Sequence, residues 1–480
     1  MTPDESADPI ARAGNDRTFA DLGLSRPGQR IHVVGIGGAG MGAIAEVLVG
    51  MGHLVSGSDR NANAMTERLA TAGIAITVGH APGVAARADL LTASTAVPAG
   101  DADVVAARAN GVPVLRRAEM LAAICAVRPT IAVGGTHGKT TTSSILALAL
   151  EACGMDPSFV IGGTVTQLGT GARWASGDLF VVEADESDGT FVELPRHGAI
   201  VTNVEPDHIE HHGTFERLVE LFGRFVSATT GPVVICGDDP RAAELAQLHD
   251  PAAVTYGLAE GVDLRLVDVR DGRHGISWRL IGTGIDVALE MPVPGIHNAL
   301  NASAAASMAL QLGGQPDDIA TGIAGYQGVA RRYEPRGTAG GVTFIDDYAH
   351  LPGEIEAALR TAAAGEHSRI VCVFQPHRYS RTEALWRTFG DCFDAADVLV
   401  VAGIYSSGEA PRPGVSSQLI VDAVRGGRPP KTMLLAEDRD DLIDTVSALL
   451  RPGDLCLTLG AGDLTTLPPA VMARRGGATP

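Results

Sequence analysis

Short apolar runs recur along the chain, and most are followed by a glycine-rich turn and then a stretch with helical spacing. In the first third, apolar runs at 31–34, 54–55, 90–91 and 112–115 predict strands, and the spacing over 42–51 predicts a helix. The pattern restarts at Pro129, with strands predicted at 130–133, 179–182, 199–202 and 233–235 and a helix at 141–152. Residues 254–292 alternate instead (Leu264, Leu266; Ile276, Trp278, Leu280), which predicts antiparallel hairpins ahead of a helix at 299–312. From Arg331 onward, strands are predicted at 342–345, 370–374, 398–401 and 455–458. Strands alternating with helices imply βαβ units on parallel sheets. The fold class expected is therefore α/β with three domains. These are an N-terminal Rossmann-like domain at 30–128, a central P-loop ATPase-like domain with a mostly parallel sheet at 129–329, and a C-terminal Rossmann-like domain at 330–480. The polar residues 1–29 show no periodicity and are expected to form a flexible leader.

Composition agrees with this picture. The 480 residues suit about three domains of about 150 each, and 45% hydrophobic content allows each a core. A net charge of −19 argues against nucleic acid or an anionic membrane as partner. No run of about 18 apolar residues predicts a membrane span. The acidic start of the chain does not read as a signal peptide. Six scattered cysteines without a C-x-x-C pair read as reduced thiols of a cytoplasmic protein. Lysine is scarce, with Lys139 and Lys431 the only two among 37 basic residues. Such a bias has a genomic origin, yet it draws attention to positions where lysine persists.

Gly35-Ile36-Gly37-Gly38-Ala39-Gly40 follows a strand and opens a helix. The pattern suits a diphosphate approaching the backbone at a helix N-terminus. Asp59 lies where a ribose-binding acid would sit, so taken alone this loop predicts an NAD-dependent oxidoreductase.

The second loop changes the class. Gly134-Gly135-Thr136-His137-Gly138-Lys139-Thr140-Thr141 resembles a P-loop, although Val133 stands where its first glycine belongs. Backbone N–H groups would cradle phosphates, Lys139 would neutralise them, and Thr140 would hold Mg²⁺. In an arginine-rich chain, a lysine at this position supplies a compact point charge that a guanidinium fork does not. Two phosphate loops suit an ATP-dependent enzyme whose other substrate carries its own diphosphate.

Glu183-Ala184-Asp185-Glu186-Ser187-Asp188 ends the strand predicted at 179–182, as a metal-binding acid of a nucleotide site would. Asp207, His208, His211 and His212 follow the next strand; without cysteines they make a poor zinc set. Oxygen-preferring Mg²⁺ points to Glu183 before His208.

GTHGKTTT (135–142), EADESD (183–188), TNVEPDH (202–208), GIHNALN (295–301) and the arginine pair 331–332, in that order, resemble the Mur ligases. These are ATP-dependent amide-bond formers of peptidoglycan precursor synthesis. The segments Asp346-Asp347-Tyr348-Ala349-His350, Phe374–Thr382, Tyr405, Gly408-Glu409 and Gly460–Asp463 narrow the resemblance to members that join L-alanine to UDP-N-acetylmuramate. A member recycling murein tripeptide is the alternative within the family. The resemblance implies that Gly37, Gly38, Ala39, Gly40, Asp59, Ser94, Asp347 and His377 contact the UDP-sugar or amino acid. It implies that Gly135, Thr136, His137, Gly138, Lys139, Thr140, Thr141, His297, Asn301 and Arg331 bind ATP. Thr140, Glu183 and His208 would hold Mg²⁺ or Mn²⁺, and Lys139, His350, Arg378 and Arg381 would serve the reaction. A monomer or weak homodimer is expected.

Two departures stand out. Leu351 replaces the second histidine of the family's D-D-Y-x-H-H-P segment. Residues 208–230 contain no lysine, so the carbamylated lysine of sister ligases has no counterpart. The chemistry implied is phosphorylation of a muramoyl carboxylate by ATP, then attack by the amine, with closure about joins near 128 and 330.

Overall fold

In the computed structural model, which describes residues 22–272, 275–407 and 409–476, the strands assemble into three sheets. The first has five parallel strands in the spatial order Ala75–Val78, Leu54–Asp59, Arg30–Val34, Leu90–Ala93, Val114–Arg116. That order reverses at Arg30–Val34, and in doubly wound sheets ligands bind at this switch point, beyond the strand's C-terminal end. The edge strand Ala75–Val78 escapes the sequence pattern because none of its residues is fully buried.

The second sheet has ten strands. Its centre is parallel, with Thr130–Gly134 between Gly198–Val201 and Phe180–Glu183. Antiparallel hairpins close both ends, Ser158–Val165 with Thr170–Arg173 and Gly275–Gly282 with Ile285–Met291. Within 254–292, Gly275–Gly282 and Ile285–Met291 form an expected hairpin, whereas Leu264–Gly272, beside Gly275–Gly282 in the sheet, pairs in parallel with Val254–Gly257 on its other edge. The third sheet runs Glu334–Ala339, Val342–Asp347, Asp454–Leu459, Arg369–Phe374, Val398–Ala402, Thr432–Ala436, antiparallel only at its first pair. Central strands such as Thr130–Gly134 and Val398–Ala402 are buried at every position, which is why they read as continuous apolar runs.

The first two sheets belong to one compact unit, and residues from 328 onward form most of another. Within the first unit a single apolar cluster runs from Ile31, Ile44 and Leu48 through Met120 and Ile124 to Phe180 and Phe222. The join near 128, expected as a hinge, is packed. The Arg128 guanidinium lies 3.9 Å above the Trp174 ring and donates to Ser158 Oγ and the carbonyls of Ala175 and Gly177. The expected leader also ends early. Residues 1–21 lie outside the described residues, but Leu24 is buried in the same cluster and its carbonyl lies 3.1 Å from His53 Nε2. Among the described residues no helix is long and apolar enough to cross a membrane.

Candidate active site

The P-loop connects strand Thr130–Gly134 to helix Lys139–Ala152. Gly138 caps the helix at φ +84°, and Gly135 has φ +134°, conformations that favour glycine. A Cβ on Gly138 would collide with the Asn301 amide, so Asn301 packs directly on the turn. His297, one helical turn earlier on Ile296–Gln311, is exposed on the same face.

The loop is clamped to residues 202–205. Thr136 N donates to the Asn203 carbonyl and His137 N to Asn203 Oδ1. Thr202 Oγ1 and Asn203 Nδ2 both donate to the His137 carbonyl, and Glu205 N donates to Thr136 Oγ1. The amides of Thr136 and His137 are thus already bonded. The amides of the first helical turn, including Lys139, Thr140 and Thr141, are left without intrahelical acceptors, as at helix N-termini that bind anions.

Lys139 is the electrostatic centre. Its ammonium donates to the carbonyls of Gly135 (2.7 Å) and Thr136 (3.0 Å) and to Glu186 Oε1 (3.0 Å). Burial opposes the charge, but Glu186, Asp185 and Glu183 outweigh it and hold the ammonium above the ordinary lysine range. Burial in turn raises the Glu186 carboxyl, against the pull of Lys139. Sequence reading missed Glu186 as the lysine's partner; its place three residues after Glu183, in the same acidic loop, was the available signal.

Thr140 Oγ1 donates to Glu183 Oε1 at 3.0 Å, and Glu183 Oε2 accepts from Gly162 N at 2.7 Å. His208 opens the helix Ile209–His212 at φ +53°. It converges with Glu186 and Asp207, their ligating atoms lying within 4.8 Å of one another. Thr140 and Glu183 of the expected set are thus in contact, and His208 groups with Glu186 and Asp207. Carboxylates, a hydroxyl and one imidazole suit Mg²⁺ or Mn²⁺.

The first glycine loop is built on the same plan. Gly35 N and Ile36 N donate to the Ser58 carbonyl, and Gly38 N to the Gly35 carbonyl. Ser58 Oγ is held at 2.6 Å by the buried Asp103. Asp59 has a structural role in the loop. Its Oδ2 accepts from Gly37 N at 2.9 Å and its Oδ1 from Asn61 N, so it braces the loop. Ala39 and Gly40 open the helix Ala39–Gly50, and Ser94 packs against Gly35. Arg117, which sequence reading passed over, lies beside Gly40 and pairs with Asp188 at 3.6 Å.

In the second unit, His350, His377, Tyr405 and Arg381 cluster. The His350 and His377 ring centroids are 5.9 Å apart, and Tyr405 stacks on His377 at 5.6 Å. Arg381 Nη1 lies 3.3 Å from His377 Nδ1. Burial, with His350, Arg381 and Arg378 adding to it, drives His377 down to about 3, so it is neutral at physiological pH. Burial also lowers His350, whose Nδ1 is 3.1 Å from the Tyr348 carbonyl. Arg378 adopts φ +69° at the start of helix Tyr379–Leu385. Asp347 and Arg331 also carry structural bonds. Asp347 accepts from Ala349 N and Tyr333 N, both at 2.7 Å, and so holds its own turn. Arg331 Nη2 donates to the carbonyls of Gly460 (2.6 Å) and Gly462 (2.9 Å), and its Nε lies 3.5 Å from Asp346 Oδ2.

Comparison with known proteins follows the same three-part division. Residues 30–128 match the model for the Mur ligase family catalytic domain, 133–309 the Mur ligase middle domain, and 331–462 the Mur ligase glutamate ligase domain. A UDP-N-acetylmuramate–L-alanine ligase of Methylocella silvestris is 43% identical over 445 residues, covering 91% of this chain and 95% of its own. One from Azorhizobium caulinodans is 43% identical over 446 residues, with the same coverage. The crystal structure of the UDP-N-acetylmuramate–alanine ligase of Thermotoga maritima superposes with a TM-score of 0.78 at 28% identity, covering 93% of this chain and 99% of that one. A murein peptide ligase from Psychrobacter arcticus shares the fold, with a TM-score of 0.70 at 22% identity over 92% of this chain and 99% of its own. The NAD-dependent reading drawn from the first loop alone is thereby overturned, and this chain belongs to the Mur ligase family.

Proposed function

We propose that this protein joins L-alanine to the carboxylate of UDP-N-acetylmuramate, converting ATP to ADP and phosphate, in cytoplasmic peptidoglycan precursor synthesis. The observation that carries this reading is the 43% identity, nearly end to end in both chains, with relatives bearing that name.

A carboxylate does not condense with an amine at neutral pH unless it is activated. A muramoyl carboxylate oxygen attacks the γ-phosphorus of ATP, ADP leaves, and an acyl phosphate results. The L-alanine amine then attacks the acyl carbon, and phosphate departs with the oxygen that came from the carboxylate. The protein's part is positioning and charge stabilisation. Lys139 stabilises the charge on the phosphoryl oxygens, and the first turn of Lys139–Ala152 supplies N–H donors. Thr140 and Glu183, with Glu186, Asp207 and His208 beside them, would hold Mg²⁺, which supplies Lewis-acid charge neutralisation when bound. His297 and Asn301 are the candidates for the adenine side. Ala39 and Gly40 present the first helix to the UDP diphosphate, with Arg117 as its nearby cation. Arg378 and Arg381 can clamp a carboxylate bidentately, and neutral His350 and His377 add no competing charge.

The test is phosphate release by purified protein with ATP, Mg²⁺ and UDP-N-acetylmuramate, supplying one amino acid at a time. Release with L-alanine, together with a UDP-N-acetylmuramoyl-alanine product by mass, is the expected result. Release with murein tripeptide and none with L-alanine would overturn it.

A further inference from the structure

The Lys139 ammonium has three protons, and all three are committed, to two loop carbonyls and to Glu186. A phosphate oxygen can gain this ammonium only if one partner yields. The carbonyls belong to the loop itself, so Glu186 is the partner able to leave. Its side chain is only 1% exposed, and its Oε2 lies 2.8 Å from Nζ yet makes no directed hydrogen bond. Its main chain is pinned, because the Glu186 carbonyl accepts from Gly189 N and lies 2.9 Å from His212 Nε2. Movement is therefore confined to the side chain. On its other side, a Glu186 carboxylate oxygen lies within 4.8 Å of ligating atoms of Asp207 and His208. One carboxylate thus stands between an ammonium and a cluster suited to a divalent cation.

We propose that Glu186 is an exchange residue. It pairs with Lys139 until a divalent cation, gathered with Asp207 and His208, takes its carboxylate and releases the ammonium to the nucleotide phosphates. Glu186 and a polyphosphate are anions competing for one cation, and Glu183 and Asp185 add to the repulsion, so the exchange makes phosphate binding conditional on the metal. The coupling is reciprocal, so nucleotide must tighten metal binding by the same factor. This inference rests on the ATP reading above and concerns binding only, with no covalent step.

Equilibrium binding of ADP, measured by calorimetry in EDTA and in saturating Mg²⁺, tests it on the full chain. Glu186→Gln should bind ADP about tenfold more tightly than wild type in EDTA, and the gain from Mg²⁺ should shrink by a similar factor. A merely structural glutamate would lower affinity equally in both conditions, and that result overturns the proposal. Thermal melting checks that the variant folds. Asp207→Asn, which does not touch Lys139, supplies an independent arm. It should weaken ADP binding in Mg²⁺ and reduce Mn²⁺ binding by the nucleotide-free protein, whereas unchanged values in both would count against the exchange. If wild type binds no ADP under either condition, the ATP reading itself fails and the exchange with it.

Discussion

The two glycine loops of the first unit are nearly the same device with different electrostatics. Both follow the C-terminal end of a central parallel strand, and both bond their own amides internally before a helix begins. In the first, Ser58 O takes two amides and Asp59 a third. In the second, Asn203 takes two. What each offers a phosphate is therefore the first turn of its helix, not the glycines. The difference lies in charge. The second loop holds a buried ammonium facing three carboxylates, whereas Arg117, the cation beside Gly40, comes from outside the first loop. In the function proposed, the first loop binds a diphosphate and leaves it intact, and the second manages charge that moves.

The sharpest way to break this contrast is at Lys139. Lys139→Ala should lower ATP-dependent phosphate release by about a thousandfold while circular dichroism stays native. Lys139→Arg should also lose most activity, because a guanidinium fork does not fit the two-carbonyl pocket. Near-normal turnover in Lys139→Arg would erase the distinction between the loops.

Glycine substitutions come next. Gly138→Ala meets both a left-handed φ and the Asn301 amide, and should raise the KM for ATP by about tenfold or more. Gly40→Ala, whose Cβ would find Arg117 Cδ at an ordinary 3.5 Å, should change the KM for UDP-N-acetylmuramate less than about twofold. Equal effects at the two positions would contradict the difference in packing.

Asp59→Ala removes the brace on Gly37 N, an interaction worth about 1–2 kcal/mol, and should raise the KM for the UDP-sugar several-fold with kcat little changed. A collapse of kcat instead would give Asp59 a part in the reaction.

The smallest effect concerns Asp347, which, like Asp59, holds a loop by its backbone amides. Burial pushes its carboxyl up to about 6, against the pull of Arg332 and two amide donors. A carboxyl raised in the folded state binds its proton more tightly there than in the unfolded chain. Its stabilising effect is full below about pH 4 and is lost as pH rises through 6. The melting temperature of Asp347→Asn, relative to wild type, should therefore rise between pH 4 and pH 7. A constant difference would mean that Asp347 titrates normally.

Much of this was legible in the chain. Fully buried parallel strands such as Thr130–Gly134 announce themselves as apolar runs, and Lys139 stood out against a background of arginine. Edge elements did not, because Ala75–Val78 has no fully buried side chain to write a pattern. The site residues whose structural bonds the sequence did not show share one physical cause. Asp59, Asp347, Thr136 and Arg331 sit in motifs that suggest ligands, but loops must satisfy their own polar backbone first, and these side chains or amides do so. Residue type and spacing mark a site; they do not say which group is already bonded.

The central claim is that the second loop drives phosphoryl transfer to a carboxylate. UDP-N-acetylmuramate carrying heavy oxygen in its carboxylate tests it most directly, with ATP, Mg²⁺ and L-alanine present and the released phosphate read by mass. One heavy oxygen in each phosphate is expected, with labelled phosphate from Lys139→Ala lower by about a thousandfold. Unlabelled phosphate accompanied by amide product would contradict it.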